Sequence, residues 1–361
     1  KKMKHTNKHL QYQLQEDTQA LALPEGRRVG QPGHDLAMGY LIDRMEEIGL
    51  QPFKGEGYEL SYKGKLRRGS GRDGRSHTFV NLVGVIPGQD RSLKPLLVGA
   101  HYDSVIDAPC ADDNATSVAL TLAVAEKFVE AGLQRDVIIA FFDAEEPPYF
   151  LGSDMGSNRF VAEHCQEIEF AGVIVSDLIG HGLDVPHALE QAGVSYPGIG
   201  LATRHLKDTV FLLGAESDAI LPEIVESVAD ETKGIRIFPT LNRYIGSMSD
   251  HHAFERMGQP FLFLSCGQGR YYHHELDNLD WINFKKLARI TEFVFGVIEQ
   301  LDETPAGQNP YQEDPASFEC RMIKRVVGRP LELILGKIGI PLPTNRAELD
   351  RFVDYVSGVA V

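Results

Sequence analysis

Short apolar runs alternate with amphipathic stretches along most of the chain. Phe79–Ile86 reads as a strand closed by Pro87-Gly88. Leu96–Ala100, Val137–Phe142, Ala171–Val175 and Phe261–Leu264 are almost continuously apolar, and Val210–Leu213 and Ile235–Phe238 are weaker runs of the same kind. Between them the spacing turns helical. Thr116–Ala131 gathers Val118, Leu122, Ala125 and Phe128 on one side and stops at Gly132. Met155–His164, Ala219–Ala229 and Phe284–Leu301 follow the same period. Strands that are apolar on both faces and alternate with helices need cover on both sides. The pattern therefore predicts an α/β fold, with a mixed, largely parallel central sheet and helices on both faces.

The two ends of the chain break this rhythm. His34–Ile48 has helical spacing and a stop at Gly49, whereas Lys65–His77 is rich in Gly, Arg and Ser and reads as an exposed loop. After Leu301 the chain is Pro-rich up to Pro343. Asn345 and Glu348 then form a capping box that opens a last helix. The expected organisation is a lead-in over 1–78, a core over 79–301 and an extension over 302–361.

Charge and composition narrow the function. The 361 residues carry 36 Lys plus Arg against 51 Asp plus Glu, a net charge of −15, which argues against nucleic acid and anionic membranes as partners. No apolar run reaches the length of a membrane span. Four widely spaced cysteines form no Cys-x-x-Cys pair and read as buried thiols. The basic first residues are followed by polar ones with no apolar signal-peptide core, and the compartment and oligomeric state stay open.

Chemistry collects where the apolar runs end. His101 and Asp103 follow the run ending at Ala100. Asp143, Glu145 and Glu146 follow Phe142, and Asp177 follows Val175. Tyr272-His273 comes a short Gly loop after Leu264, and Asp112-Asp113-Asn114 stands just before the Thr116 helix. In an open parallel sheet the carboxyl ends of the strands share one edge, where ligands bind. Two histidines and several carboxylates, with no Cys among them, suit a borderline or hard divalent cation, Zn²⁺ first. The carboxylates exceed what one tetrahedral site needs, which points to two metals sharing a bridging carboxylate.

This constellation resembles the M28 family of zinc peptidases, the co-catalytic di-zinc aminopeptidases. The matching pieces are Gly99-Ala-His101-Tyr-Asp103-Ser, Ala111-Asp112-Asp113-Asn114-Ala, Phe142-Asp-Ala-Glu145-Glu146, Ser176-Asp177-Leu-Ile-Gly180, Ser249-Asp250-His251 and Tyr272-His273-x-x-x-Asp277, in the family's order over roughly 79–300. The resemblance implies a zinc exopeptidase, phosphorylase/hydrolase-like fold and peptide substrates with a free N-terminus. Asp113 would bridge two Zn²⁺ ions, with Co²⁺ or Mn²⁺ as alternatives. His101 and Asp177 would complete one site, Glu146 and His273 the other. Glu145 would be the general base acting on a water activated by the di-zinc centre. Asp103 would orient His101, Asp277 would support His273 or its loop, and Asp250 and His251 would line the same rim. The family spacing, with an acid four residues on, selects His273 over His274.

The chain also departs from the family pattern. Pro147-Pro148-Tyr149-Phe150 follows the Glu pair and reads as a stiff pocket wall, and Gly182–Leu241 reads as a pocket-forming insertion. The tyrosine that polarises the substrate carbonyl has no certain counterpart, Tyr244 being nearest in sequence. The runner-up function is glutaminyl-peptide cyclisation by the same fold. Against it, Tyr272 stands where such cyclases carry Trp, and the only Trp is Trp281. A non-catalytic binding domain is the third reading, disfavoured because every ligand is present.

Overall fold

The computed structural model describes residues 2–66, 75–183, 203–304, 314–337 and 339–360. Most of the basic loop and residues 184–202 of the expected pocket insertion lie outside the described residues. Among the described residues nine strands form one sheet: β1 (Gln51–Pro52), β2 (Glu59–Lys65), β3 (Ser76–Ile86), β4 (Leu96–His101), β5 (Val137–Phe142), β6 (Gly172–Ser176), β7 (Thr209–Leu213), β8 (Arg236–Thr240) and β9 (Phe261–Ser265). Their order is β1-β3-β5-β4-β6-β9-β7-β8, with β2 paired to β3. The central strands β5, β4, β6 and β9 are mutually parallel, while β3 and β7 join on either side antiparallel.

Period-two alternation divides the core into two layers. Val137, Ile139 and Phe141 of β5 face one cluster, and Ile138, Ala140 and Phe142 face the other. The first layer is covered by α1 (Lys2–Leu21), α2 (Pro32–Ile48), α3 (Thr116–Ala131), α5 (Leu221–Glu231) and α8 (Phe284–Glu303). The second is covered by α4 (Gly156–His164) and α7 (His251–Glu255). A one-turn helix, α6 (Asn242–Ile245), precedes α7. All four cysteines are buried and free.

Besides the short α6 and α7, two long helices were not visible in the sequence pattern. Among the described side chains of helix α1, the buried apolar ones are Leu10, Leu14 and Leu21, too sparse a stripe to stand out. Helix α9 (Ala316–Lys337) lies in the stretch that reads as Pro-rich tail. It bends at Gly328, whose φ of 68° lets the chain turn before Pro330. The last helix, α10 (Arg346–Ala360), opens as expected, with the Glu348 N–H donating to Asn345 Oδ1 and the Thr344 N–H donating to Glu348. Together α9 and α10 make a separate apolar cluster against β8. Among the described residues no helix is long and apolar enough to cross a membrane.

Candidate metal centre

The four parallel strands are contiguous in the sheet, so their carboxyl ends lie side by side. His101 ends β4, Asp177 follows β6, and the Glu145-Glu146 turn follows β5. The loop after β9 carries His273, and Asp112-Asp113 lie in the tight turn Ala111–Ala115 that enters α3. Among the described residues five non-Gly positions have positive φ, and four adjoin this rim: Cys110 (43°), Ala144 (53°), Leu178 (55°) and His273 (56°). Left-handed backbone at such residues costs on the order of 1 kcal/mol each and collects at functional sites. Here it turns each strand end sharply enough to aim a side chain back across the rim.

The side chains converge on Asp113. Its Oδ1 lies 3.5 Å from His101 Nε2 and its Oδ2 lies 3.3 Å from His273 Nε2. Asp177 Oδ1 is 3.6 Å from His101 Nε2, and Glu146 Oε2 is 3.3 Å from His273 Nε2. Two overlapping groups result, His101-Asp113-Asp177 and Asp113-Glu146-His273, each with donor atoms within 4.8 Å of one another. Glu145 Oε2 stands 3.8 Å from His101 Nε2.

This donor set fits two divalent cations. His101 Nε2, Asp177 Oδ1, Glu146 Oε1 and His273 Nε2 are buried atoms with no hydrogen-bond partner, which is costly unless something else binds them. The electrostatics agree. Burial holds the Glu145 carboxyl well above its usual range; His101 opposes this, and Asp177, Glu146 and Asp250 add to it. Burial and repulsion from Asp113 raise Glu146 to about 8, against the pull of His273. Asp113 is also desolvated, but the two imidazoles outweigh that and hold its carboxyl low. The cluster therefore has more buried acids than its histidines alone can keep ionised.

The acidic pairs are clasped from behind. Asp103 accepts the backbone N–H groups of Glu145 and Glu146 at 3.0 and 3.1 Å, and its Oδ1 lies 3.3 Å from His101 Nδ1. Asp277 likewise accepts the N–H groups of Asp112 and Asp113, at 2.9 and 3.1 Å. Its carboxylate thus lies behind the Asp112-Asp113 turn. Asp112 is fully engaged, accepting from Gly180 N–H at 2.6 Å and pairing with His181 Nδ1 at 2.5 Å. A Cβ on Gly180 would come within 2.8 Å of that Asp112 oxygen.

Two supports from the lead-in escaped sequence reasoning. Arg27 is completely buried, and its guanidinium donates to the carbonyls of Leu21, Tyr102, Pro109, Cys110 and Asp113. His34 Nε2 lies 2.8 Å from Asp143 Oδ1, two residues before Glu145, and its ring stacks on Tyr102. No local signal marks either residue, because the partners lie far along the chain.

The remaining expected residues divide. His274 Nδ1 accepts from Leu276 N–H, leaving His273 as the imidazole beside Asp113. Asp250 is buried beside Ser157 and feels His101 and Asp177. His251 faces the core instead: it stacks on Phe261 and Phe263, and burial lowers it to about 3. Tyr244 is not brought into the cluster. Its hydroxyl donates to Asp350 and accepts from Arg346, both on α10. An apolar cavity of about 340 Å³ opens beside the cluster, walled by Phe150, Phe211, Ile245, Met248 and Phe263. Tyr272 also lines it.

The profile of peptidase family M28 matches residues 81–298, more than half the chain. A probable zinc metalloprotease of Leptosphaeria maculans is 22% identical over 254 residues, covering 62% of this chain and 58% of that protein. The chain spans less than two thirds of the curated relatives it matches. Among solved structures, a Zn-dependent exopeptidase from Parabacteroides distasonis superposes with a TM-score of 0.60 at 18% identity, over 80% of this chain and 97% of that one. A glutaminyl cyclase from Bacteroides thetaiotaomicron does so with a TM-score of 0.59 at 17% identity, over 80% and 97%. At these identities the likeness is one of fold.

Proposed function

The chain belongs to peptidase family M28, and we propose that it is a two-zinc exopeptidase, an aminopeptidase that removes residues from the free N-terminus of peptides. The observation that carries this reading is Asp113, with one carboxylate oxygen toward His101 and the other toward His273. In this reading His101 and Asp177 hold one ion, Glu146 and His273 the other, and Asp113 both. Co²⁺ or Mn²⁺ suit the same nitrogen and oxygen donors. Zinc bound there supplies Lewis acidity, polarising a carbonyl and acidifying water.

The proton work falls to Glu145. Its carboxylate takes a proton from the attacking water and returns it to the leaving amine nitrogen. Burial, which raises the proton affinity of this carboxyl, suits it to hold the proton between the two transfers. Asp103 fixes the turn beneath it by accepting the N–H groups of Glu145 and Glu146. The apolar cavity receives the N-terminal side chain, and the surrounding acids favour its free ammonium group. We further read 79–301 as the catalytic unit, with 1–78 and 302–361 packed upon it.

The deciding experiment is mass spectrometry of a pool of unblocked peptides, some beginning with Gln, incubated with Zn²⁺ or with a chelator. Loss of single N-terminal residues, abolished by chelator, is the expected result. Loss of ammonia alone from the Gln-initiated peptides would instead assign the cyclase reaction.

A further inference from the structure

A second cavity, of about 290 Å³, shares Glu146 and Pro147 with the first. Its other walls include Arg28, Ser104 and Val105. On the exopeptidase reading, a scissile bond beside Glu146 with the first residue in the apolar cavity sends the rest of the peptide into this one. The two cavities differ in chemistry. The first has aromatic and aliphatic walls with four acids of the cluster on one side and no basic residue, whereas the second has Arg28 as its one basic residue among the described lining. Of its acids, Asp103 accepts two backbone N–H groups, and Glu146 faces His273, where the proposed reading has it hold an ion.

Arg28 sits on a fixed backbone but makes a replaceable contact. The preceding residue, Arg27, is fully buried; its N–H donates to Ser104 Oγ at 2.8 Å and its carbonyl accepts from Ser104 N–H. The Arg28 side chain pairs with Asp107 at 2.6 Å, the two being 47% and 51% exposed. Ion pairs this exposed contribute little, so another carboxylate can take the place of Asp107. A guanidinium matches a carboxylate through two parallel hydrogen bonds.

We propose that the second cavity is the leaving-side subsite, and that Arg28 binds there the C-terminal carboxylate of a short peptide. The inference rests on the exopeptidase reading and narrows its substrates to di- and tripeptides. It places a specificity-determining residue in the lead-in, upstream of the stretch matched by the family profile.

The test compares Leu-Ala and Leu-Ala-Ala with their C-terminal amides on the zinc-loaded full chain. The free acid of at least one length is expected to show a kcat/KM about tenfold above its amide, the scale of one charge-assisted carboxylate contact. Arg28→Ala brings that ratio toward one. Asp107→Ala, which removes the competing carboxylate, raises it. If the Arg28–Asp107 pair were merely structural, both variants would shift the ratio the same way, and that result overturns the proposal. Equal cleavage of acid and amide by the unmodified protein overturns it too, and leaves the exopeptidase reading intact. Cleavage of neither overturns both.

Discussion

The centre contains two acidic pairs, Asp112-Asp113 and Glu145-Glu146, built on the same device. In each, a distant carboxylate accepts both backbone N–H groups: Asp277 for the first pair and Asp103 for the second. In each, the second acid faces His273. The leading acids have opposite fates. Asp112 is held by Gly180 and His181, on the side away from the histidines of the cluster. Glu145 faces His101, with its proton affinity raised by burial. In the proposed reading one pair of adjacent acids is therefore a ligand with an anchor, and the other a ligand with a base. The difference lies in what tertiary structure places opposite the leading residue.

Substitutions at the leading positions test that contrast most severely. Glu145→Gln is expected to lower kcat by roughly 10²–10⁴-fold, the range for a lost general base, while zinc content stays unchanged. Near-normal turnover with full zinc would sink the base assignment. Next come the clasps. Asp277→Ala leaves the N–H groups of Asp112 and Asp113 unpaired, at about 1–3 kcal/mol each, and should weaken zinc binding by roughly 10–100-fold in a chelator competition. Arg27→Lys, which cannot reproduce five carbonyl contacts, should weaken zinc binding in the same direction. Undiminished zinc affinity in both variants would show that the Asp pair needs no support from behind.

Asp112→Asn is expected to do less. It keeps an acceptor for Gly180 and loses the charge opposite His181, so unfolding in urea should show a loss of about 1–2 kcal/mol. Turnover should change by less than about threefold, since the side chain sits behind the reacting groups. A drop in kcat as large as that of Glu145→Gln would erase the distinction between the two pairs.

The smallest effect concerns pH at the Glu pair. Burial alone would lower His34, but Asp143, and behind it Asp103 and Asp35, outweigh burial and raise it above its ordinary 6.5. A histidine raised on folding stabilises the folded state fully below its unfolded value, and that contribution fades as pH rises through the folded value. The stability gap between the native chain and His34→Gln should therefore be widest near pH 6 and narrow at alkaline pH. A gap independent of pH would mean the His34–Asp143 contact carries no ionic part.

Much of this centre is legible before any coordinates. The parallel strands announce themselves as apolar runs, because a strand buried on both faces cannot carry polar residues. The candidate ligands announce themselves as polar residues placed abruptly where those runs end. Helix α3 is found to its last residue, since its buried stripe and its Gly132 stop are local. Helix α1 is not, because its contacts with α3 and α8 supply what its sparse apolar stripe does not. Tyr244 shows the opposite failure: nearness in sequence suggested the site, but Arg346 and Asp350 hold its hydroxyl at α10.

The sequence by itself determined the fold class, the rim on which the chemistry stands and the residue types able to bind metal. Each of those follows from periodicity and from what adjoins each strand, which are short-range properties of the chain. Only the tertiary structure decided what stands opposite each acid of the two pairs, that Tyr244 is held at α10 and not at the cluster, and that Arg27 and His34 brace the centre from the lead-in. Those outcomes depend on partners drawn from remote parts of the chain. A buried carboxylate, imidazole or guanidinium takes its role from the charge and hydrogen bonds that folding sets against it.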